Sequence, residues 1–313
     1  MRIVVGLILV FLGSVCTQAQ SSFQVVPMGV KGGSDESNLT AYAVAATGTE
    51  EFVCLDAGTI HAGIMKAAEN NVWKGEVNEL LKTKIKGYLI SHPHLDHVSG
   101  LIISAPDDSP KPIYGIESCL RVLQKNYFTW DSWANFGNAG ERPLNKYTYN
   151  TLSPGKEIAL DNTLLHATAF TLSHVNPYES TGFLVRSEQN YLLYLGDTGA
   201  DTLEKSDKLK TLWKRVGPLI QSKQLKAIFI EVSFSNEQPS HLLFGHLTPM
   251  LLQQELLSLS KYAGNAALKD FPVVITHRKP GGGREEKIKQ QLEAMDLLGV
   301  QLIFPEQGKK LQF

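Results

Sequence analysis

Apolar and polar positions along this chain fall into two successive blocks of the same kind. Residues 22–30, 41–46 and 51–55 alternate or run apolar, with Gly, Ser and Asp between them, and this pattern predicts strands. Residues 64–68 and 77–84 carry helical spacing ahead of a further apolar run at 85–90. The second block predicts strands at residues 158–160, 164–172, 182–186, 191–195 and 227–232. Two helices are expected late, near residues 249–261 and 285–298, with a strand at 273–276 between them. Such an order suits two packed sheets with helices on the outer faces. No linker rich in Pro and Gly divides the chain and no internal repeat is found, so one domain over residues 20–313 is expected.

Residues 3–15 break the alternation, being apolar without a polar face. A core helix would carry such a face, and the stretch is too short to span a bilayer stably. With Arg2 before it and Thr17-Gln18-Ala19 after it, the segment reads as a signal peptide over residues 1–19, giving a periplasmic or secreted protein. Cys16 raises the question of a lipid anchor, but Val15 stands where a small residue normally precedes a lipidated Cys, which favours soluble export. Only Cys54 and Cys119 then remain. They make no disulfide scaffold and read as buried thiols, with a single bridge left open.

Charge narrows the function. Lys and Arg number 30 against 31 Asp and Glu, a net charge of −1, so no cationic footprint for a nucleic-acid polymer is present. At 313 residues and 43% hydrophobic content the chain can bury a sizeable core. The chemistry sits at the end of the 85–90 run, in His92-Pro93-His94-Leu95-Asp96-His97. Residues two apart on a strand, or just past its end, face the same side, so His92 and His94 can hold one metal ion. Asp96 and His97 lie one step on, where the chain must turn, and can face a second. Imidazoles with a carboxylate suit zinc or a similar ion.

His-x-His-x-Asp-His resembles the metal-binding motif of the metallo-β-lactamase superfamily. The longer run, continuing Val98-Ser99-Gly100-Leu101-Ile102-Ile103-Ser104-Ala105-Pro106, is similar to the narrower pattern of the class II cyclic-nucleotide phosphodiesterases. Many hydrolases share the short motif, whereas the longer match is specific. The resemblance implies a four-layer αββα sandwich and two divalent metal ions, zinc foremost. Carried over residue by residue, it gives His92, His94 and His174 to one metal. Asp96, His97 and His277 go to the other, with Asp197 bridging. His174, Asp197 and His277 each follow an expected strand, where loops on a rigid scaffold present chemistry. Two divalent cations less two Asp and a bridging hydroxide leave roughly +1, which suits a phosphodiester; the ions would activate the attacking water and clamp the phosphoryl oxygens. Asp96 counts with the catalytic residues as well as the ligands.

Attack on phosphorus also needs a proton for the departing alkoxide. The stretches Ile230-Glu231-Val232-Ser233-Phe234 and Phe244-Gly245-His246-Leu247-Thr248-Pro249 are similar to the Glu and His segments of this family and of tRNA 3′-processing nucleases. The similarity implies that Glu231 orients His246 and that His246 is the acid. Taken alone, His246 could simply close the loop before a helix that Thr248-Pro249 would cap. His241 competes as the acid and lacks the motif context. Asp56, at a strand end, reads as a support behind the metals rather than a ligand. His61 lines the mouth of the site or is an ordinary loop histidine, and His166, within a strand, reads as a satisfied core residue. Lys279 holds a phosphate oxygen or is solvated. Tyr127, Phe128, Trp130, Trp133 and Phe136 could stack on adenine, but a lid packing on its own aromatics is the better reading.

The expected activity is hydrolysis of the 3′,5′-cyclic phosphate of cAMP to 5′-AMP, with the substrate resting on the resemblance. Another hydrolase of the superfamily, a lactonase, thioesterase or RNA nuclease, is the alternative. A nuclease would want a basic RNA-gripping arm, absent at this charge, and lactone opening has no use for the Glu231/His246 pair. A non-catalytic cyclic-nucleotide binder would not need a full ligand set with a proton donor. The expected partner is a small cyclic nucleotide, with neither a nucleic-acid polymer nor stable membrane insertion. Acceptance of cGMP and assembly as a homodimer stay open.

Overall fold

A computed structural model describes residues 22–313; the expected signal peptide and Cys16 lie outside the described residues. The apolar runs form two sheets. The first contains β1 (Phe23–Gly29), β2 (Ala41–Ala46), β3 (Phe52–Leu55), β4 (Ile85–Leu89), β5 (Lys111–Gly115) and β6 (Tyr147–Thr151). The second contains β7 (Glu157–Ala159), β8 (Leu165–Ser173), β9 (Glu179–Ser187), β10 (Asn190–Leu195), β11 (Leu225–Glu231), β12 (Pro272–Thr276) and β13 (Gln301–Ile303). The last strand, β14 (Leu311–Gln312), returns to the first sheet beside β1. Among the described residues the orders are β14-β1-β2-β3-β4-β5-β6 and β13-β12-β11-β10-β9-β8-β7. Each sheet is antiparallel over one half and parallel over the other.

The helices are α1 (His61–Glu69), α2 (Val77–Lys84), α3 (Leu95–Ser104), α4 (Glu117–Val122), α5 (Asp201–Glu204), α6 (Lys208–Gln221), α7 (Pro249–Ala263), α8 (Asn265–Leu268) and α9 (Arg284–Glu293). They cover the outer faces, giving four layers. On β10, Leu192 and Tyr194 enter the core shared by both sheets, while Leu193 and Leu195 pack under α6 and α7. Phe229 and Ile230 of β11 divide in the same way. Both faces of these central strands are covered, so they read as continuous apolar runs rather than alternations. The Tyr42 ring of β2 meets Tyr194 at 5.9 Å and Phe229 at 5.4 Å, joining sheet to sheet.

Local rules set the element ends. The Glu76 side chain accepts the Glu79 N–H at the start of α2. Thr248 caps α7 through the Leu251 N–H, with Pro249 in the first turn. Three expectations need correction. Asp96 and His97 do not lie in a turn: helix starts at Leu95 and both occupy its first turn. The last helix stops at Glu293, short of residue 298: beyond the Ala294 cap the Asp296 side chain takes the Leu298 N–H, and Leu298 and Gly299 turn at positive φ. His166 is not a satisfied core residue; it is half-buried, and its Nδ1 has no partner among the described residues. The strands β5 and β6 and the helix α6 were not expected. Cys54 and Cys119 are buried and free. Among the described residues no helix is long and apolar enough to cross a membrane.

Candidate metal centre

The site lies where chain leaves the ends of strands from both sheets. His92 and His94 follow β4, and Asp96 and His97 open α3. His174 follows β8, Asp197 follows β10, and His277 follows β12 at a φ of +53. Ligand atoms of His92, His94, His174 and Asp197 all come within 4.8 Å of one another, as do those of Asp96, His97 and His277. These groups correspond to the two sets the resemblance implies, except that Asp197 falls with the first and with a third group of His246 and His277, not with Asp96 and His97. The two sets each draw on both sheets.

Hydrogen bonds turn the imidazoles inward. His97 Nδ1 meets Asp56 Oδ2 at 2.8 Å, His174 Nδ1 meets the Gly245 carbonyl at 2.9 Å, and His277 Nδ1 meets Ser233 Oγ at 2.9 Å. His92 Nδ1 lies 3.0 Å from Ser91 Oγ, whose proton goes to Asp56. In each case Nδ1–H is the donor and the Nε2 lone pair is left for a metal, the usual arrangement behind metal-binding histidines. His92 Nε2 and His94 Nδ1 stand 3.0 Å apart, near the edge of a tetrahedral zinc site, about 3.3 Å at ordinary Zn–N lengths.

The donor set fits divalent metal. Asp197 Oδ1 and His97 Nε2 are buried without a hydrogen-bond partner among the described residues. Asp197 Oδ2 lies 3.2 Å from His97 Nε2, 3.3 Å from His277 Nε2 and 3.6 Å from His92 Nε2, central to both sets. Uncompensated groups of this kind are costly in an apolar interior, and a cation between them removes the cost. Burial, reinforced by His97, pushes the His92 pKa well below its ordinary value, and burial also lowers His94 and His174. Burial opposes charge on Asp197 as well, but His277, His97 and His246 hold it ionised. Against burial, Asp197, Asp56 and Asp96 raise His97 well above its ordinary value. Metal binding requires neutral imidazoles, so His92, His94 and His174 already have that state and His97 would give up a proton to an ion.

Asp56 stands behind this centre rather than in it. At a φ of +55 it accepts the Ser91 N–H and hydroxyl, each at 2.7 Å, the Tyr194 hydroxyl at 2.6 Å, and His97. Glu231, the last residue of β11, is buried and takes His246 Nδ1 on Oε1 at 2.8 Å. Its Oε2 accepts the Ser233 hydroxyl at 2.7 Å. His246 is buried and stacks on His277 with ring centres 5.2 Å apart. Its ligand atoms also group with those of Asp197 and His277, but the Nδ1–Glu231 bond occupies one nitrogen and leaves Nε2 as the reactive edge.

Other candidates separate. His241 is exposed on a short 3-10 turn, Ser240–Leu242. His61 is exposed at the start of α1. Lys279 Nζ lies 5.1 Å from the centre of the Phe234 ring. In the aromatic segment Phe128 packs on Phe136 and Tyr147, and Arg142 covers Trp130, so the segment packs on itself. It is tied to the metal loop by Tyr127, whose hydroxyl donates to the Pro93 carbonyl at 2.9 Å. Sequence reasoning missed Ser233, which links His277 to Glu231. It also missed the pair Gly32-Gly33. The Gly33 N–H donates to Asp96 Oδ2 at 2.9 Å, and a Cβ on Gly32 would come within 2.1 Å of the His277 ring. A Gly pair beside a strand end was the available signal.

Comparison with known proteins agrees with this geometry. Residues 74–308 match the model of the cAMP phosphodiesterases class-II. A 3′,5′-cyclic-nucleotide phosphodiesterase of Aliivibrio fischeri is 45% identical over 311 residues, covering 94% of each chain. The crystal structure of unliganded yeast PDE1 superposes with a TM-score of 0.82 at 21% identity, covering 94% of this chain and 100% of that one. The metallo-beta-lactamase fold protein YhfI of Bacillus subtilis gives 0.63 at 13% identity, with coverage of 94% and 100%. The fold is thus that of the metallo-β-lactamases. With its family match running from before α2 to beyond β13, this chain belongs to the class-II cAMP phosphodiesterases and is a 3′,5′-cyclic-nucleotide phosphodiesterase.

Proposed function

We propose that the chain opens the cyclic phosphate of cAMP to give 5′-AMP at a centre of two divalent ions, with zinc the natural occupant of so imidazole-rich a donor set. His92, His94 and His174 would hold one ion, Asp96, His97 and His277 the other, and Asp197 both. When bound, the pair supplies Lewis-acid stabilisation of the phosphoryl oxygens and a water acidic enough to attack at neutral pH. The residues supply the rest. Asp56, Gly245 and Ser233 fix the imidazoles in one tautomer. His246, held through Nδ1 by Glu231, keeps a proton on Nε2 for the departing 3′ oxygen.

The Glu231–His246 pair, buried and in contact at 2.8 Å beside both ligand sets, is the observation that carries this reading. Cleavage of a lactone or thioester has little need of such an acid, whereas an alkoxide leaving phosphorus does. Product analysis of the purified protein with cAMP, with and without chelator, is the test. Formation of 5′-AMP that chelation abolishes is expected. Full turnover by metal-free protein, or cAMP bound and never cleaved in the presence of zinc, overturns the reading. We further propose that the chain is exported after removal of residues 1–19, on the Arg2, apolar and Thr17-Gln18-Ala19 pattern alone.

A further inference from the structure

Three uncovered apolar side chains belong to the loops that carry His94, His174 and His246. Leu95 follows His94 directly, Val175 follows His174 directly, and Phe244 stands two residues before His246. Their exposures are 61%, 41% and 59%. Two of them also hold an unfavourable backbone, with φ at +55 for Val175 and +50 for Phe244. β-Branched and aromatic residues are poorly suited to that region, and where they persist in it the surroundings impose it, most often at ligand sites. Core packing does not impose it here, since neither side chain is buried.

The two strained residues stand on loops that touch through their backbones. Gly245, itself at a φ of +72, gives its carbonyl to His174 Nδ1, and a Cβ there would meet the Val175 nitrogen at 2.5 Å. Backbone therefore packs on backbone between the loops, with Phe244 and Val175 flanking the contact. The leaving oxygen of a 3′,5′-cyclic nucleotide and its base sit on the same five-membered ribose ring. With that oxygen at His246 the base lies one ribose ring away, and Phe244 is the exposed aromatic nearest to His246 in sequence.

We propose that Phe244, with Val175 beside it, is the platform on which the base of the cyclic nucleotide stacks, an inference that rests on the phosphodiesterase reading of the site. An exposed phenyl face offers a base its π surface without reading the base edge. Neither residue has a side-chain donor or acceptor, so the platform favours purines over smaller or absent bases and does not tell adenine from guanine.

The test compares cAMP, cGMP and the base-free 3′,5′-cyclic phosphate of 1-deoxyribose on zinc-loaded wild type, Phe244→Ala, Phe244→Trp and Tyr178→Ala. Tyr178 is the other exposed aromatic beside His174, donating its N–H to the Val175 carbonyl. Phe244→Ala should raise KM for cAMP and cGMP together by about 10-fold or more, the scale of losing one stacked base. Its preference for either over the base-free substrate should fall by the same factor, with melting temperature and zinc content retained, and Phe244→Trp should restore it. An equal loss on all three substrates, an unshifted KM, or the loss following Tyr178→Ala instead overturns the platform alone. A wild type that cleaves none of the three removes the phosphodiesterase reading and the platform with it.

Discussion

Glu231 Oε1 and His246 Nδ1 meet at 2.8 Å in the buried floor of the metal centre, and Ser233 extends the contact to His277. One carboxylate thereby orients the proposed acid and, through a hydroxyl, an imidazole of the candidate ligand set. His246→Ala should keep its metal and lose roughly 10²–10⁴-fold in kcat on cAMP, the usual contribution of a placed proton donor. A nitrophenyl phosphodiester, whose leaving group needs little protonation, should suffer much less. Loss of metal, or equal losses on both substrates, would make His246 a ligand or a structural residue instead.

Asp197 should behave in the opposite way. Its Oδ2 is central to both ligand sets, so Asp197→Ala removes the one group common to them. Elemental analysis should find about two equivalents of metal in the wild type, as the two ligand sets imply, and well under half of that in the variant. Activity should be lost on activated and natural substrates alike. A variant that retains both ions refutes the bridging position.

Asp56→Ala tests support from behind the metals. Four hydrogen bonds end on this buried carboxylate. Its removal frees His97 to choose the wrong tautomer, and supporting partners of this kind are typically worth 10–100-fold in metal affinity. Competition with a chromogenic chelator should show that loss, together with a lowered melting temperature from the stranded donors, about 1–3 kcal/mol for a buried group left unsatisfied. Unchanged affinity would make Asp56 purely a folding residue.

Gly32→Ala should damage the same centre from the opposite side. The added carbon would overlap the His277 ring, displacing an imidazole rather than a flexible tail. Loss of one of the two equivalents of metal is the expected outcome, with the far-ultraviolet dichroism of the wild type retained. Ala at Gly182, where the nearest atoms stand 3.6 Å away in ordinary contact, is the control for an extra methyl. An unaltered metal content in Gly32→Ala would show that the loop yields.

Export is tested by fractionating cells and sequencing the N-terminus, expected near Gln20 outside the cytoplasm. Intact Met1 on cytoplasmic protein refutes the proposal, and acyl-Cys16 would mean a tethered enzyme.

Much of the candidate centre was legible because the hexapeptide after β4 is a short-range feature, while His174, Asp197 and His277, single residues directly after apolar strands, were reached through the family resemblance. Most strand positions were legible for the same reason, since burial on both faces leaves an unbroken apolar run in β10 and β11. What stayed hidden depends on tertiary contact. The run Lys111–Gly115 contains Lys111, which is buried only because Asp108 and the carbonyls of Leu81 and Ile85 receive its ammonium. The string Leu95–Ser104 follows so closely on the ligand motif that its helical spacing was masked by the metal pattern. Ser233, Gly32 and Phe244 have nothing unusual in composition; their roles come from what the fold sets beside them.

The drawing of each ligand set from both sheets has a consequence for the order of events in the life of the chain. Residues 92–97 reach the centre from one sheet, while His174, Asp197 and His277 reach it from the other. Neither sheet alone carries either ligand set, so full occupancy by metal would follow the closing of the sandwich. Occupancy would then be a certificate of completed assembly, and ions held there would also rivet the two halves that made room for them.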